Sequence, residues 1–252
     1  MRRSTSPVYW AVSRVLSAAR HYGEPVAEVI PVFPLSHVLL PGMPLPLHIF
    51  EQRYRDLLFD VGKAPGPASF GVVALRSGTE ALNPHVAAGT GPDLEDVGTL
   101  AEILEIEQQD DGTSDLLSVG SRRFRIDSLV TDDDKAYLRA EVTYLEEDDG
   151  DLTAEQEIRA RELIEIYDAI LMRLAGRATG TELPADANQV SYQIAARLPL
   201  PPDERQALLT DATTSERLVR LARLLRREIA LLQGTRSIAV SPTVLRLITG
   251  AN

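Results

Sequence analysis

IPVFPLSHVLLPGMPLPLHIFEQRYRDLL, residues 30–58, decides the fold of this chain. Pro31, Pro34, Pro41, Pro44 and Pro46 punctuate a run of large apolar residues. Each proline fixes φ and removes a backbone donor. The segment therefore reads as edge strand or loop and not as a central strand. Pro41-Gly42 is a turn signal. From Glu51 the period becomes helical, with Tyr54, Leu57, Leu58 and Val61 on one face of a helix over 51–61. The breaker Gly62-Lys63-Ala64-Pro65-Gly66-Pro67 ends it. Leu45, Leu47, Ile49, Tyr54 and Leu58 are the expected core, and the helix is expected to plug one end of a small barrel.

Around this stretch the chain reads as short strands at 26–32, 45–50, 70–76, 99–108, 116–119, 123–130 and 137–144. They are rich in β-branched and aromatic residues and separated by Gly, Pro and Asp. Asp110-Asp111-Gly112 marks a hairpin. Beyond residue 151 the pattern is helical. Thr153-x-x-Gln156 is a capping box, and Leu163, Ile166, Tyr167, Ile170, Leu171 and Leu174 follow at spacings of three and four, up to Gly176. Asp186-x-x-Gln189 and Thr213-x-x-Glu216 start further helices, with a short one over 203–209 between them. On the last helix Leu218, Leu221, Leu225, Ile229 and Leu232 form an apolar stripe opposite Arg220, Arg223 and Arg227. Ser241-Pro242 would start one more helical turn.

The formal charge of the 252 residues is −11, and it is unevenly spread. Residues 28–151 hold 24 acids against 9 bases, whereas 152–252 hold 12 against 13. The break coincides with the change of periodicity. The expected organisation is a poorly ordered extension at 1–25, a β-rich domain at 26–151, a helical bundle at 152–234 and a tail at 235–252. The fold class is α+β. Such an acidic chain repels phosphate backbones, so nucleic acid is not an expected partner. No apolar run approaches the ~18–20 residues of a membrane span. The Arg- and Ser-bearing N-terminus mimics an export signal, but Arg14 interrupts its apolar stretch. The expected location is the cytoplasm.

Most catalytic chemistries lack their residues. With no Cys there are no disulfides, thiolate zinc sites or thiol nucleophiles. Only two of the 26 basic residues are Lys, a bias of the kind a high-GC bacterium shows. Gly62-Lys63 precedes Ala64, not the Ser or Thr of a P-loop. Gly89-x-Gly91 runs into Pro92 and nearby acids, unlike a dinucleotide fingerprint. Lys135 follows three aspartates, which would keep its amine charged. His21, His37, His48 and His85 show no metal-binding spacing, and the acidic runs show no EF-hand pattern. No catalytic residues, metal or cofactor are expected.

The opening stretch, with its Pro-x-Phe-Pro-Leu, Pro-Gly and Leu-Pro-Leu-His-Ile-Phe-Glu-x-Arg-Tyr blocks, resembles the start of the Lon protease N-terminal (substrate-binding) domain. It is most similar to the stand-alone bacterial form. Phe70-Gly-Val-Val, Val97-Gly-Thr, Gly120-x-x-Arg-Phe-Arg-Ile126 and Arg197-Leu-Pro-Leu-Pro follow in the same order. The resemblance implies a PUA-like β pseudo-barrel followed by an α-helical bundle. It implies the domain without the ATPase and Ser-Lys peptidase modules, so any peptidase label would describe ancestry. The function expected is a non-catalytic protein- or peptide-binding module, accessory to proteolysis or quality control. Its partners would be polypeptide segments. The candidate binding residues are Leu39, Leu40, Met43, Leu45, His48, Phe50, Arg122 and Arg123, with a neighbouring sheet edge free to add a peptide strand. Two rival readings are a hydrolase built around His48 in a groove between the domains, and a small-ligand or RNA-binding module.

Overall fold

The structure, a computed structural model, describes residues 27–76, 93–130, 134–176 and 182–235. The N-terminal extension, the tail with its Ser241-Pro242 turn, Gly89-x-Gly91, His21 and His85 lie outside these residues. The fold is α+β. It divides into two compact units, Met1–Glu146 and Glu147–Asn252.

The first unit contains strands β1 (Glu28–Leu35), β2 (Pro44–Ile49), β3 (Ser69–Ala74), β4 (Val97–Gln108), β5 (Ser114–Val130) and β6 (Leu138–Tyr144), with helix α1 (Gln52–Lys63) between β2 and β3. The strand order is β2-β5-β4-β3-β1-β6, and β5 also pairs with β6. The hydrogen-bonded circuit β5–β4–β3–β1–β6 therefore returns to β5, and β2 hangs from it as an edge. The strands expected at 116–119 and 123–130 are one continuous strand. Its N-terminal part pairs with β2, its C-terminal part with β6, and β4 runs along most of it.

Glycine lets this circuit close. A Cβ on Gly120, in the middle of β5, would sit 2.3 Å from the Leu40 carbonyl oxygen. Gly120 instead donates its amide to the Met43 carbonyl (3.0 Å) and accepts from the Gly42 amide (2.8 Å). These bonds clamp the turn at residues 40–43, where the Met43 amide donates to the Leu40 carbonyl and Gly42 has a φ of 78°. This is a type II turn with proline and glycine at its two central positions. Inside the circuit, the fully buried Phe124 packs with Ile30, Val32, Val73 and Val142. Its ring lies against Gly71 and Gly98, where a Cβ would approach it within 2.8 and 2.7 Å.

The prolines of β1 correct the expectation that they exclude a central strand. β1 lies between β3 and β6, yet β6 pairs only with residues 28–32 and β3 only with residues 32–35. Pro31 therefore lies outside the β3 register and Pro34 outside the β6 register. Each missing donor falls where one flank carries no ladder. Helix α1 covers a second apolar cluster through Tyr54, Leu57 and Val61. Tyr54 stacks on Phe33 with centroids 3.9 Å apart. On the same helix Asp60 accepts from the Lys135 ammonium (2.8 Å) and the Tyr137 hydroxyl (2.6 Å).

The second unit contains helices α2 (Ala154–Ala175), α3 (Ala187–Arg197), α4 (Pro202–Thr210) and α5 (Thr214–Thr235). The sequence cap at Thr153 forms in full: its hydroxyl accepts from the Gln156 amide, and the Gln156 side chain accepts from the Thr153 amide. Gly176 closes α2 in the left-handed region. Asp186 caps α3, and Thr213 and Glu216 exchange the same reciprocal bonds ahead of α5. Ile166 and Leu174 are exposed despite their helical spacing, because the packed face of α2 is centred on Leu163, Ile164, Tyr167 and Leu171. The arginine face of α5 is partly paired: Arg220 forks onto Asp211 and Arg227 onto Glu204.

Arg217, one step before the apolar stripe, is fully buried. Its guanidinium donates to Ser191 Oγ (2.7 Å), Asn188 Oδ1 (2.7 Å) and Glu147 (3.2 Å), and lies 4.0 Å from the Tyr192 ring centroid. Glu147 also accepts from the Tyr192 hydroxyl, and the Asp148 carbonyl accepts from the Thr214 amide. Residues 147–148 are thus held within the helical unit. On the other side Leu145 donates its amide to the Arg123 carbonyl.

Replacing Gly120 by Ala forces a backbone carbonyl aside and should lower the unfolding free energy by more than about 2 kcal/mol in urea titration. Ala at Gly62, where nothing lies within 4 Å of the new methyl, should leave it within about 0.5 kcal/mol. The Lys135 and Tyr137 hydrogen bonds hold the Asp60 carboxyl below its ordinary range. A carboxyl held lower in the folded than in the unfolded chain stabilises above the unfolded value, and that contribution is lost as pH falls through the folded one. Asp60→Asn should therefore lower Tm at neutral pH and flatten its fall below about pH 4, read by thermal melts across pH.

Candidate peptide-binding face

Strand β2 places its side chains on two faces. Leu45 and Ile49 turn into the apolar core, and Pro46 and His48 turn to the opposite, solvent face. The register extends this outer face across three strands. His48 pairs with Asp115 and Asp115 with Glu107; Pro46 pairs with Leu117 and Leu117 with Glu105. Two cross-strand rows result, His48–Asp115–Glu107 and Pro46–Leu117–Glu105. They line an open depression of about 440 Å³, walled also by Leu47 and Leu116.

Polar contacts fix the first row. His48 Nδ1 lies 2.8 Å from Asp115 Oδ1, and the Gln109 amide donates to Asp115 Oδ2 (3.0 Å). The Phe50 ring leans on the His48 ring with centroids 6.3 Å apart and remains 60% exposed. At the hairpin tip the Thr113 hydroxyl and amide both donate to Asp111 and hold its carboxyl below the ordinary range. Glu105 and Glu107 make no ion pair with any described residue. The hairpin projects beyond the core, so residues 105–108 are exposed on both faces. That is why Ile106, although paired with the buried Leu116, is 42% exposed.

An imidazole held by a carboxylate is part of a hydrolytic triad. Ser114, beside Asp115, lies on the opposite face of β5 and is buried in register with Ile49. It presents no nucleophile to His48. Among the described residues no three His, Asp or Glu side chains converge closely enough to hold a metal ion.

Most of the eight residues expected to bind peptide separate into a buried set and a solvent-facing pair, with Met43 and Arg122 apart from both. Leu39, Leu40, Leu45 and Arg123 are buried to 4% exposure or less. Buried in this way, they build the core of the unit and do not line the solvent-facing depression. Leu39 also accepts the buried Thr99 hydroxyl on its carbonyl (2.7 Å). Met43 is half-buried against the same core. His48 lines the depression, and Phe50 faces solvent beside it. Arg122 is seven residues along β5 from Asp115, roughly 23 Å at strand spacing, and its guanidinium lies 4.3 Å from the Tyr144 ring centroid. It does not join the depression. Pro44 and Pro46 thin the donors of β2, the sheet's edge strand, so that edge is a poor template for strand addition. The sequence reading missed Glu105, Glu107, Asp115 and Leu117. Pairing residues outward from Asp110-Asp111-Gly112 places Glu107 opposite Asp115 and would have found them.

Residues 29–227 match the family described as the ATP-dependent protease La (LON) substrate-binding domain. Among curated proteins, the chain is 29% identical over 225 residues to the Lon protease of Parabacteroides distasonis, covering 83% of this chain and 25% of that protein. It is 30% identical over 213 residues to the Lon protease of Escherichia coli (strain K12), covering 81% of this chain and 25% of that one. The chain thus spans about a quarter of the length of the curated relatives it matches. Among solved structures, a Lon N-terminal domain protein from Xanthomonas campestris matches at 29% identity and a TM-score of 0.57, over 78% of this chain and 98% of that one. The N-terminal domain of a Mycobacterium avium complex Lon protease matches in fold, with 18% identity, a TM-score of 0.57 and coverage of 79% and 98%.

The two sets of residues predict different mutational behaviour. Leu39→Ala should cost about 2–5 kcal/mol of stability, whereas Phe50→Ala should change it by no more than about 0.5 kcal/mol, both read by urea unfolding.

Proposed function

The chain belongs to the LON substrate-binding domain family, and from that premise we propose that it is a non-catalytic polypeptide-binding module of the cytoplasm, accessory to proteolysis or protein quality control. The observation that carries this reading is the open outer face of β2, β5 and β4. There apolar walls and the carboxylates of Glu105, Glu107 and Asp115 line one depression, with the exposed Phe50 ring beside His48 at its margin. Apolar contact with a few polar groups is the usual make-up of a binding cleft. His48 and Phe50 are the proposed contacts retained from the sequence.

The environments of both lysines support the non-catalytic part. Lys135 is partly exposed and ion-paired to Asp60 at 2.8 Å. Lys63 stands on the exposed Phe59 ring, 3.6 Å from its centroid. Neither is the desolvated amine that serves as a base. The finer description of the first unit as a PUA-like pseudo-barrel is supported by the closed circuit of β5, β4, β3, β1 and β6. Binding of RNA is disfavoured by the excess of acids over bases at 28–151.

A peptide array tiling an unfolded protein, followed by fluorescence anisotropy on the intact chain, tests the proposal. Expected are roughly micromolar dissociation constants, weakening with Phe50→Ser, and intact peptide after prolonged incubation. Failure to bind any peptide, or release of peptide fragments, would overturn it.

A further inference from the structure

Granting that the module binds polypeptides, we propose that the β2–β5–β4 outer face selects extended cationic segments, in which Arg or Lys alternates with apolar residues. The two rows of the face lie two residues apart along the strands, about 6.7 Å. That is also the distance between i and i+2 side chains on one side of an extended peptide. A peptide lying along β4 would therefore set successive same-side cations against Glu105 and Glu107. Both carboxylates are exposed and ion-paired to no described residue. Asp115 adds a third negative charge, already oriented by Gln109 and His48. Pro46, Leu47 and Leu117 give the long aliphatic stems of Arg and Lys an apolar surface. The 60% exposed Phe50 ring offers a face to a guanidinium.

The arrangement suits a polymer better than an ion. The carboxylates are spread along two rows and do not converge as metal ligands do. Prolines on β2 remove donors from the sheet edge, so recognition falls to side chains across the face and not to backbone pairing. Charge complementarity selects against acidic segments, which meet like charge at every second position.

Three labelled twelve-residue peptides, alternating Leu with Arg, Gln or Glu, titrated against the intact chain by anisotropy, test this. The Leu/Arg peptide should bind tightest and lose affinity as salt rises. Glu105→Gln with Glu107→Gln should weaken it about fivefold and leave the Leu/Gln peptide unchanged. Glu155→Gln with Glu165→Gln removes the same charge from α2 and should weaken neither. Equal affinity for the three peptides, or equal loss in both double variants, would overturn the cationic preference while leaving polypeptide binding standing. Binding of none of them would overturn both.

Discussion

The backbone of residues 40–43 comes so close to Gly120 that no side chain fits between them. The rest of the β unit depends on that approach. It lets β5 continue unbroken past the turn, so one strand holds β2 at one end, β6 at the other and β4 along most of its length. Without it, β2 would lose its pairing with β5, its one partner among the described strands, and the helix after it would lose its seat on Phe33. The outer face of β2, β5 and β4 exists because the same strand that closes the circuit also carries the edge. The candidate binding face and the closure of the fold thus both depend on β5.

The helical unit is organised by a charge. Most of its core is aliphatic, as the stripe on α5 dictates, but Arg217 sits inside that core with neutral and acidic acceptors around it. Burying a guanidinium is costly unless its donors are satisfied. The satisfied set spans α3, α5 and the strand-like residues before α2, so the penalty of misplacing any of them is high. This is a specificity device more than a source of net stability.

Much of this was legible in the sequence. Helix caps at Thr153, Asp186 and Thr213 were, because a cap is a local exchange between residues three apart. The Pro41-Gly42 turn and α1 were legible for the same reason. The central position of β1 was not. Prolines argue against a paired strand, and only the staggered registers of β3 and β6 explain how Pro31 and Pro34 are tolerated. The site was half legible. His48 and Phe50 follow from the first motif, but their partners come from β4 and β5, some sixty residues away. Leu39, Leu40 and Leu45 look like a sticky loop in one dimension; burial of such residues depends on a neighbour that only the three-dimensional pairing supplies. Arg217 was invisible because an arginine beside a leucine stripe normally stays in solvent.

Only Glu146 separates Leu145, bonded to Arg123 in the first unit, from Glu147, bonded to Arg217 and Tyr192 in the second. Anyone dividing the gene must respect this. A fragment begun at residue 152, where the helical pattern starts, would strip a buried guanidinium of its carboxylate and α5 of the carbonyl that receives the Thr214 amide. The acidic run that looks like a disposable linker is, for the helices, their first structural residues.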